Sequence, residues 1–229
     1  MLEDPPLLVV RKGFPRPPAE KLASLKGAQT SHVADAMDGR GALDAAVKPV
    51  DANRATFVGP ALTCDTGPSD NLAILAAVAL AKPGDVIVAA SDAFTSTAVI
   101  GDIVALMARN AGCAAIVIDG MARDSEGLIS VGIPLFCRGI TPNSCVKSGP
   151  GRVGLPIVAG GVAIEPGDVL VGDRDGVVVV PQRVLDTVTA RVETIRAAEK
   201  RVIAAVAGGL THSENIAALL KSDRVRYVD

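Results

Sequence analysis

Aromatic residues are almost missing from this 229-residue chain: it has no Trp, one Tyr and four Phe. That scarcity removes the stacking platform on which single-stranded nucleic acids are usually held. An excess of one charge is missing too. There are 23 Lys and Arg against 25 Asp and Glu, a net charge of -2, with no basic cluster, so electrostatic binding to a phosphate backbone is not expected. No apolar run reaches the roughly 18 residues that a membrane-spanning helix needs. The opening stretch, MLEDPPLLVVRKGFPRPP, carries acids and prolines where a signal peptide would have a basic start and an apolar core. Together these absences point to a cytoplasmic protein that docks neither on nucleic acid nor on a membrane.

Metal-binding spacing is also lacking. Cys64, Cys113, Cys137 and Cys145 are separated by 49, 24 and 8 positions, which matches no zinc pattern, so reduced and mostly buried thiols are expected. Neither His32 nor His212 has another His or a Cys beside it.

Small aliphatic residues fill the space the aromatics leave. The composition is 49% hydrophobic with 23 Gly, which suits helices packed closely on a sheet. ATFVGPALTCD reads as a strand interrupted at Gly-Pro, DNLAILAAVALAKPGD as a helix with Asp70 as N-cap and Pro83-Gly84 as its stop, and DVIVAAS as a buried strand. A helix from about Ile103 to Ala111 and the strand AAIVIDG follow. Strand, helix, strand implies a right-handed crossover and a partly parallel sheet. KPGDVIVAASDA at 82–93 is echoed by EPGDVLVGDRDG at 165–176, as if one turn-and-strand unit were used twice. GPGRVG at 149–154 lacks a P-loop lysine and reads as a loop. No glycine-rich nucleotide loop follows a first strand, which argues against a methyltransferase. A single domain is expected over 1–229, with its core at about 28–209, an irregular N-terminal arm at 1–18 and a helix over about 181–207. On that helix Leu185, Val188, Val192, Ile195, Val202 and Val206 form a stripe, and Glu199 falls within it. Glu199 is either an edge acid paired with Arg196 or Lys200, or a carboxylate aimed at a polar or metal site.

The chemistry concentrates at two points of one helix–strand unit. Gly101-Asp102 opens a helix, whose first N–H groups lack internal partners and carry partial positive charge. Either Asp102 simply caps that helix or the amides of Ile103 and Val104 receive a small carboxylate. Arg123-Asp124 follows the carboxyl end of the strand, where ligands gather in open α/β sheets. Asp124 offers a hard oxygen to Mg²⁺ or Mn²⁺, and Arg123 a planar cation for a carboxylate or enolate oxygen. The plain alternative is an Arg-Asp surface turn.

Gly-Asp, twenty residues, then Arg-Asp resembles the signature of the class II 4-hydroxy-4-methyl-2-oxoglutarate aldolases, which share a fold with the regulator of ribonuclease E activity A. VGPALT, GCAAIVIDGMARD, GIPLFCRGITP and PIVAGGVAIEPGDVLVGDRDGVVVVP follow the same pattern in order, over residues 28–209. The resemblance implies a three-layer β/β/α swivelling-type α/β sandwich assembled as homotrimers or homohexamers, with active sites between subunits. It implies Asp124 as ligand of Mg²⁺ (or Mn²⁺), Arg123 on the substrate, and Asp102 in the site. Gly101, Ile103, Val104 and Asn71 would line the substrate, and Glu199 would approach a neighbouring subunit's site. The implied reaction is retro-aldol cleavage of a 2-oxo acid to pyruvate, with oxaloacetate decarboxylation at the same site and a water oriented by Asp102 or Glu199 as base. A Schiff-base mechanism is disfavoured, because no lysine lies in an apolar strand. A protein-binding regulator without catalysis is the alternative. The segment ASDAFTSTAVIGD departs from the family's more glycine-rich loop, so Asp92, Thr95 and Ser96 are expected to reshape the distal end of the pocket.

Overall fold

The computed structural model describes residues 6–228. The chain divides into two compact units, residues 1–192 and 193–229. Within the first, four parallel strands run side by side: Phe57–Asp65, Val86–Ala90, Ala115–Ile118 and Leu135–Cys137. Every residue of Val86–Ala90 and Ala115–Ile118 is buried, the mark of a sheet covered on both faces. Alternate residues serve different layers. Ile87, Ala89, Ile116 and Ile118 face a core shared with the helices Leu72–Leu80, Asp102–Asn110 and Ser125–Val131 through Ile74, Ala105 and Leu128. Val86, Val88, Ala115 and Val117 face a second core with Ile157, Ile164, Leu170 and Val177 from the strands after residue 150. This is the α/β sandwich the sequence implied, two β layers and one helical layer. Two of the four phenylalanines, Phe57 and Phe136, meet edge-on in the second core at 5.4 Å between ring centres.

Strand Phe57–Asp65 joins the two β layers. Its residues 61–65 pair in parallel with Val86–Ala90, while residues 57–60 pair antiparallel with Val169–Asp173. The expected break at Gly59-Pro60 does not occur. Gly59 is there because a side chain would strike the carbonyl of Gly84. The two Pro-Gly-Asp turns are the same device used twice. Buried Asp85 accepts the Lys82 N–H at 2.9 Å, and buried Asp168 accepts the Glu165 N–H at 2.9 Å. Each turn launches one neighbour of the long strand. Asp85 further takes Arg16 through two bonds of 2.7 and 2.8 Å.

Two expectations need correction. Within the arm expected to be irregular, Leu8–Val10 is a strand, paired in parallel with Gly151–Val153; residues 1–5 lie outside the described residues. Gly151–Val153 is in turn a strand where a loop was expected, pairing with Cys64 and Asp65. Helix Thr30–Ala36 is capped from across the chain, since Asp173 accepts both the Thr30 N–H and its hydroxyl at 2.8 Å.

The late helix runs from Leu185 to Ala207 after a 3-10 turn at Gln182–Val184. Its stripe is buried only at Leu185, Val188 and Val192, whereas Val202 and Val206 are exposed. The second unit contains the rest of that helix and helix Glu214–Leu220, which starts at Ser213. None of its described residues is buried. No helix among the described residues is long and apolar enough to cross a membrane.

Candidate active site

The two ends of the helix–strand unit meet because their strands are neighbours. Beyond the carboxyl ends of Val86–Ala90 and Ala115–Ile118, the chain forms a small parallel sheet from Ala98–Ile100, Met121–Ala122 and Gly139–Ile140. The Arg123 N–H donates to the Ile100 carbonyl at 3.0 Å, which sets Gly101-Asp102 beside Arg123-Asp124. A cleft of about 260 Å³ opens there, lined by residues 98–104 with Arg123 and Asp124, and by Asn71, Ser144, Cys145 and Lys147.

The glycine of the motif has a steric cause. A methyl group on Gly101 would occupy the space of the Asp124 carboxylate and lie 3.3 Å from the Arg123 Cγ. Asp124 itself adopts the left-handed region (φ 62°, ψ 48°) at the start of helix Ser125–Val131. Asp tolerates that conformation better than most residues but at some cost, and it turns the carboxylate back over Gly101. Arg123 Nε donates to Asp124 Oδ2 at 3.2 Å, and another guanidinium nitrogen donates to the Ser144 hydroxyl. Both partners remain accessible, with 39% and 44% of their side chains exposed. Arg123 and Asp124 also form the edge of a wider recess with Glu126, Gly127 and Thr141.

Asp102 is not the cap: Gly101 holds that position, and Asp102 is the first helical residue. Its Oδ1 accepts the Ile103 N–H at 2.7 Å, so one of the two amides expected to receive a substrate carboxylate is already engaged. Its other oxygen rests over Gly127, where an added Cβ would lie 2.5 Å away. Gly127 therefore belongs to the site's support, a role that no motif around it marks.

The segment that carries Ser144, Cys145 and Lys147 is bridged to Ala98 through Ser144 and held to residues 69–71 by main-chain bonds. Val146 N–H donates to the Ser69 carbonyl at 2.9 Å, and Asn71 N–H to the Val146 carbonyl at 3.1 Å. Asn71, and not Asp70 as expected, is the N-cap of helix Leu72–Leu80; buried Asp70, one residue earlier, accepts Leu72 N–H at 2.7 Å, and it also accepts Ser148 and Gly149 N–H at 2.6 and 2.9 Å. Asn71 is 6% exposed, and its side-chain oxygen has no hydrogen-bond partner. A buried unmatched acceptor costs about 1–3 kcal/mol, and one lining a cleft is suited to a ligand's O–H or N–H. Cys145 is partly buried, and its thiol is pushed up chiefly by loss of hydration. It stays protonated at neutral pH and is no nucleophile. All four cysteines are free, three of them buried.

Most of the expected site residues are brought together: Gly101, Asp102, Ile103, Val104, Asn71, Arg123 and Asp124 share one cleft. Two expectations are not met. Asp92, Thr95 and Ser96 do not line it; the loop props the cleft wall instead, with Thr97 Oγ donating to Ser69 Oγ at 2.9 Å and Asn143 donating to the Ser96 carbonyl at 3.0 Å. Glu199 lies in the second unit on an exposed stretch of helix rather than in a buried stripe. Ser144, Cys145 and Lys147 were missed; the one signal available was the polar run TPNSCVKSG after a short strand.

Among the described residues no group of three or more His, Cys, Asp or Glu side chains could enclose a metal. That donor set rules against a zinc-like cage. It fits a hard cation held by one or two carboxylates and completed by water, the usual manner of Mg²⁺. Asp124, with Asp102 in the same cleft, would provide those oxygens.

Comparison with known proteins agrees with this architecture. A protein of Halalkalibacterium halodurans, named as a candidate 4-hydroxy-4-methyl-2-oxoglutarate aldolase, is 43% identical over 153 residues, covering 67% of this chain and 72% of that one. The crystal structure of an uncharacterized protein from Pseudomonas syringae pv. tomato superposes with a TM-score of 0.75 at 29% identity, covering 86% of this chain and 97% of that one. The RNA-processing inhibitor RraA of Thermus thermophilus superposes with a TM-score of 0.62 at 30% identity, covering 67% and 93%. The RraA-like description, Aldolase/RraA, matches residues 30–179, a span that contains both halves of the cleft, and the chain belongs to this family.

Proposed function

We propose that this protein is a divalent-metal-dependent lyase of 2-oxo acids. Its reaction is retro-aldol cleavage of compounds like 4-hydroxy-4-methyl-2-oxoglutarate, releasing pyruvate, with oxaloacetate decarboxylation as a side activity. The observation that carries the reading is the Arg123–Asp124 pair folded back over Gly101 beside Asp102, in a cleft also lined by Asn71 with its unmatched oxygen. The name of the 43% identical relative supports the same reaction class.

Bound Mg²⁺ or Mn²⁺ supplies Lewis acidity towards the carboxylate and carbonyl oxygens of the 2-oxo acid. Arg123 meets the negative charge that grows on the C2 oxygen as the C3–C4 bond breaks. That charge is absent from the substrate, so the contact favours the transition state. The helix start at Gly101–Val104 receives the C1 carboxylate, and the Ile103 amide takes part once Asp102 releases it. Asp102, freed in this way, orients a water that removes the C4 hydroxyl proton. Asn71 accepts a hydrogen bond from the substrate or from that water. Decarboxylation of oxaloacetate requires the same charge stabilisation and no base. The protein works as a homotrimer or homohexamer in the cytoplasm, and Glu199 serves the site of a neighbouring copy.

The test is pyruvate release from both compounds with Mg²⁺ and with EDTA. Turnover lost in EDTA and restored by metal supports the lyase. Silence of the folded, metal-loaded protein towards both, with retention of a ribonuclease, favours a regulator like the RNA-processing inhibitor it resembles.

A further inference from the structure

We propose that the free edge of the long sheet, strand Leu8–Val10, pairs antiparallel with the same strand of a second copy about a two-fold axis at Val9. The contact is independent of the chemistry in the cleft.

The long sheet ends at Leu8–Val10 on one side and at Lys48–Pro49 on the other. An edge strand presents unpaired N–H and C=O groups, and proteins that must stay apart blunt it. Lys48–Pro49 is blunted: it is two residues long and consists of a lysine and a proline that has no N–H to offer. Leu8–Val10 is not. It belongs to the uninterrupted apolar run LLVV at 7–10, and Leu7, Val9 and Val10 are 66%, 41% and 39% exposed.

The register shows which groups of this edge are free. The Gly151 N–H donates to the Leu7 carbonyl at 2.9 Å, and the Arg11 N–H donates to the Val153 carbonyl at 3.0 Å. With Leu8 beside Gly151 and Val10 beside Val153, the parallel ladder uses the backbone groups of residues 7, 9 and 11. The N–H and C=O of Leu8 and Val10 therefore point away from the sheet, where no other strand of the described residues meets them.

Such an edge is complementary to itself. Turned about Val9, Leu8 of one copy faces Val10 of the other and Val10 faces Leu8, and each pair exchanges both of its hydrogen bonds. Every outward group of the strand is then matched. Charge selects the direction. In the sequence Glu3-Asp4 precede the apolar run and Arg11-Lys12 follow it. An antiparallel copy runs from its basic end towards the acidic end of the first, whereas a parallel copy would set like charges together.

The test is the native mass by light scattering at micromolar concentration, read beside cross-linking. The wild type should contain an even number of copies. Val9→Lys and Val9→Glu each set like charges face to face at the axis. Either alone should halve the mass with an unchanged circular dichroism spectrum, and the two mixed should restore it. Val10→Pro removes only an outward N–H, which an edge tolerates, and should also halve the mass. Val9→Cys should join two copies by a disulfide under mild oxidation, since residues facing each other in a non-hydrogen-bonded pair have Cα atoms about 4.5 Å apart. Val10→Cys should not, because its counterpart lies diagonally at about 7–8 Å. A wild type with one or three copies would mean that the edge stays open or serves another chain, and overturns the proposal. So does an unchanged mass in Val9→Lys, or equal cross-linking at positions 9 and 10.

Discussion

The two groups of residues that wall the cleft, side by side at Ala98 and Ser144, are positioned in different ways. One consists of residues 98–104 and 123–124, the ends of a single helix–strand unit, locked by the Arg123 N–H bond to Ile100 and by the close approach of Asp124 to Gly101. The other consists of residues 69–71 and 144–149, distant in sequence and joined by main-chain bonds around one buried carboxylate, Asp70. The first wall carries reactive side chains in a short motif. The second carries an orphaned acceptor on a frame with no motif of its own. Chemistry is therefore concentrated in one wall and shape in the other, and substitutions should separate the two.

The largest effect is expected at Gly101. Gly101→Ala puts a methyl group into the Asp124 carboxylate and should cost 100-fold or more in kcat/KM, the order of loss that displacing a reacting group brings. Gly127→Ala crowds Asp102 instead and should cost less; an equal loss would show that the two carboxylates work as one unit. Next comes Asp70→Ala, which leaves three backbone N–H groups without their acceptor. Chemical denaturation should show a loss of about 3 kcal/mol, with KM rising more than kcat falls because the shaping wall loosens. Asn71→Leu should separate stability from function. Removing an unmatched buried oxygen should leave stability unchanged or raise it by up to about 1 kcal/mol, while turnover falls roughly ten-fold. Cys145→Ser should be the mildest, changing turnover less than about three-fold, because a thiol kept protonated contributes no nucleophile. Since burial raises that thiol above its ordinary range, alkylation of Cys145 should be slow at neutral pH and quicken only as pH climbs past the usual thiol pKa.

The same contrast explains what the sequence revealed. Val86–Ala90 and Ala115–Ile118 are apolar throughout because both faces are covered, so the sheet could be read directly. Gly101-Asp102 and Arg123-Asp124 could be read because their spacing is local and each residue type has a chemical purpose. Asp70 was legible only as part of the start of helix Leu72–Leu80, one residue before the cap. Its bond to Ser148 spans 78 positions and leaves no trace in either segment, since the donors are backbone groups. The cap that Asp173 places on Thr30 spans 143 positions and was hidden by that separation. The stripe through Leu185 and Val206 shows the opposite failure: its period continues past Val192, but burial does not.

The account turns on the Arg123–Asp124 pair acting in chemistry rather than in a surface turn. The most direct measurement is pyruvate release from 4-hydroxy-4-methyl-2-oxoglutarate by Arg123→Ala and Asp124→Ala beside the wild type, all with saturating Mg²⁺ and with folding verified by circular dichroism. A loss of 100-fold or more in both variants, with stability changed by less than about 1 kcal/mol as suits an exposed ion pair, is the result predicted. Wild-type turnover in either folded variant would contradict it.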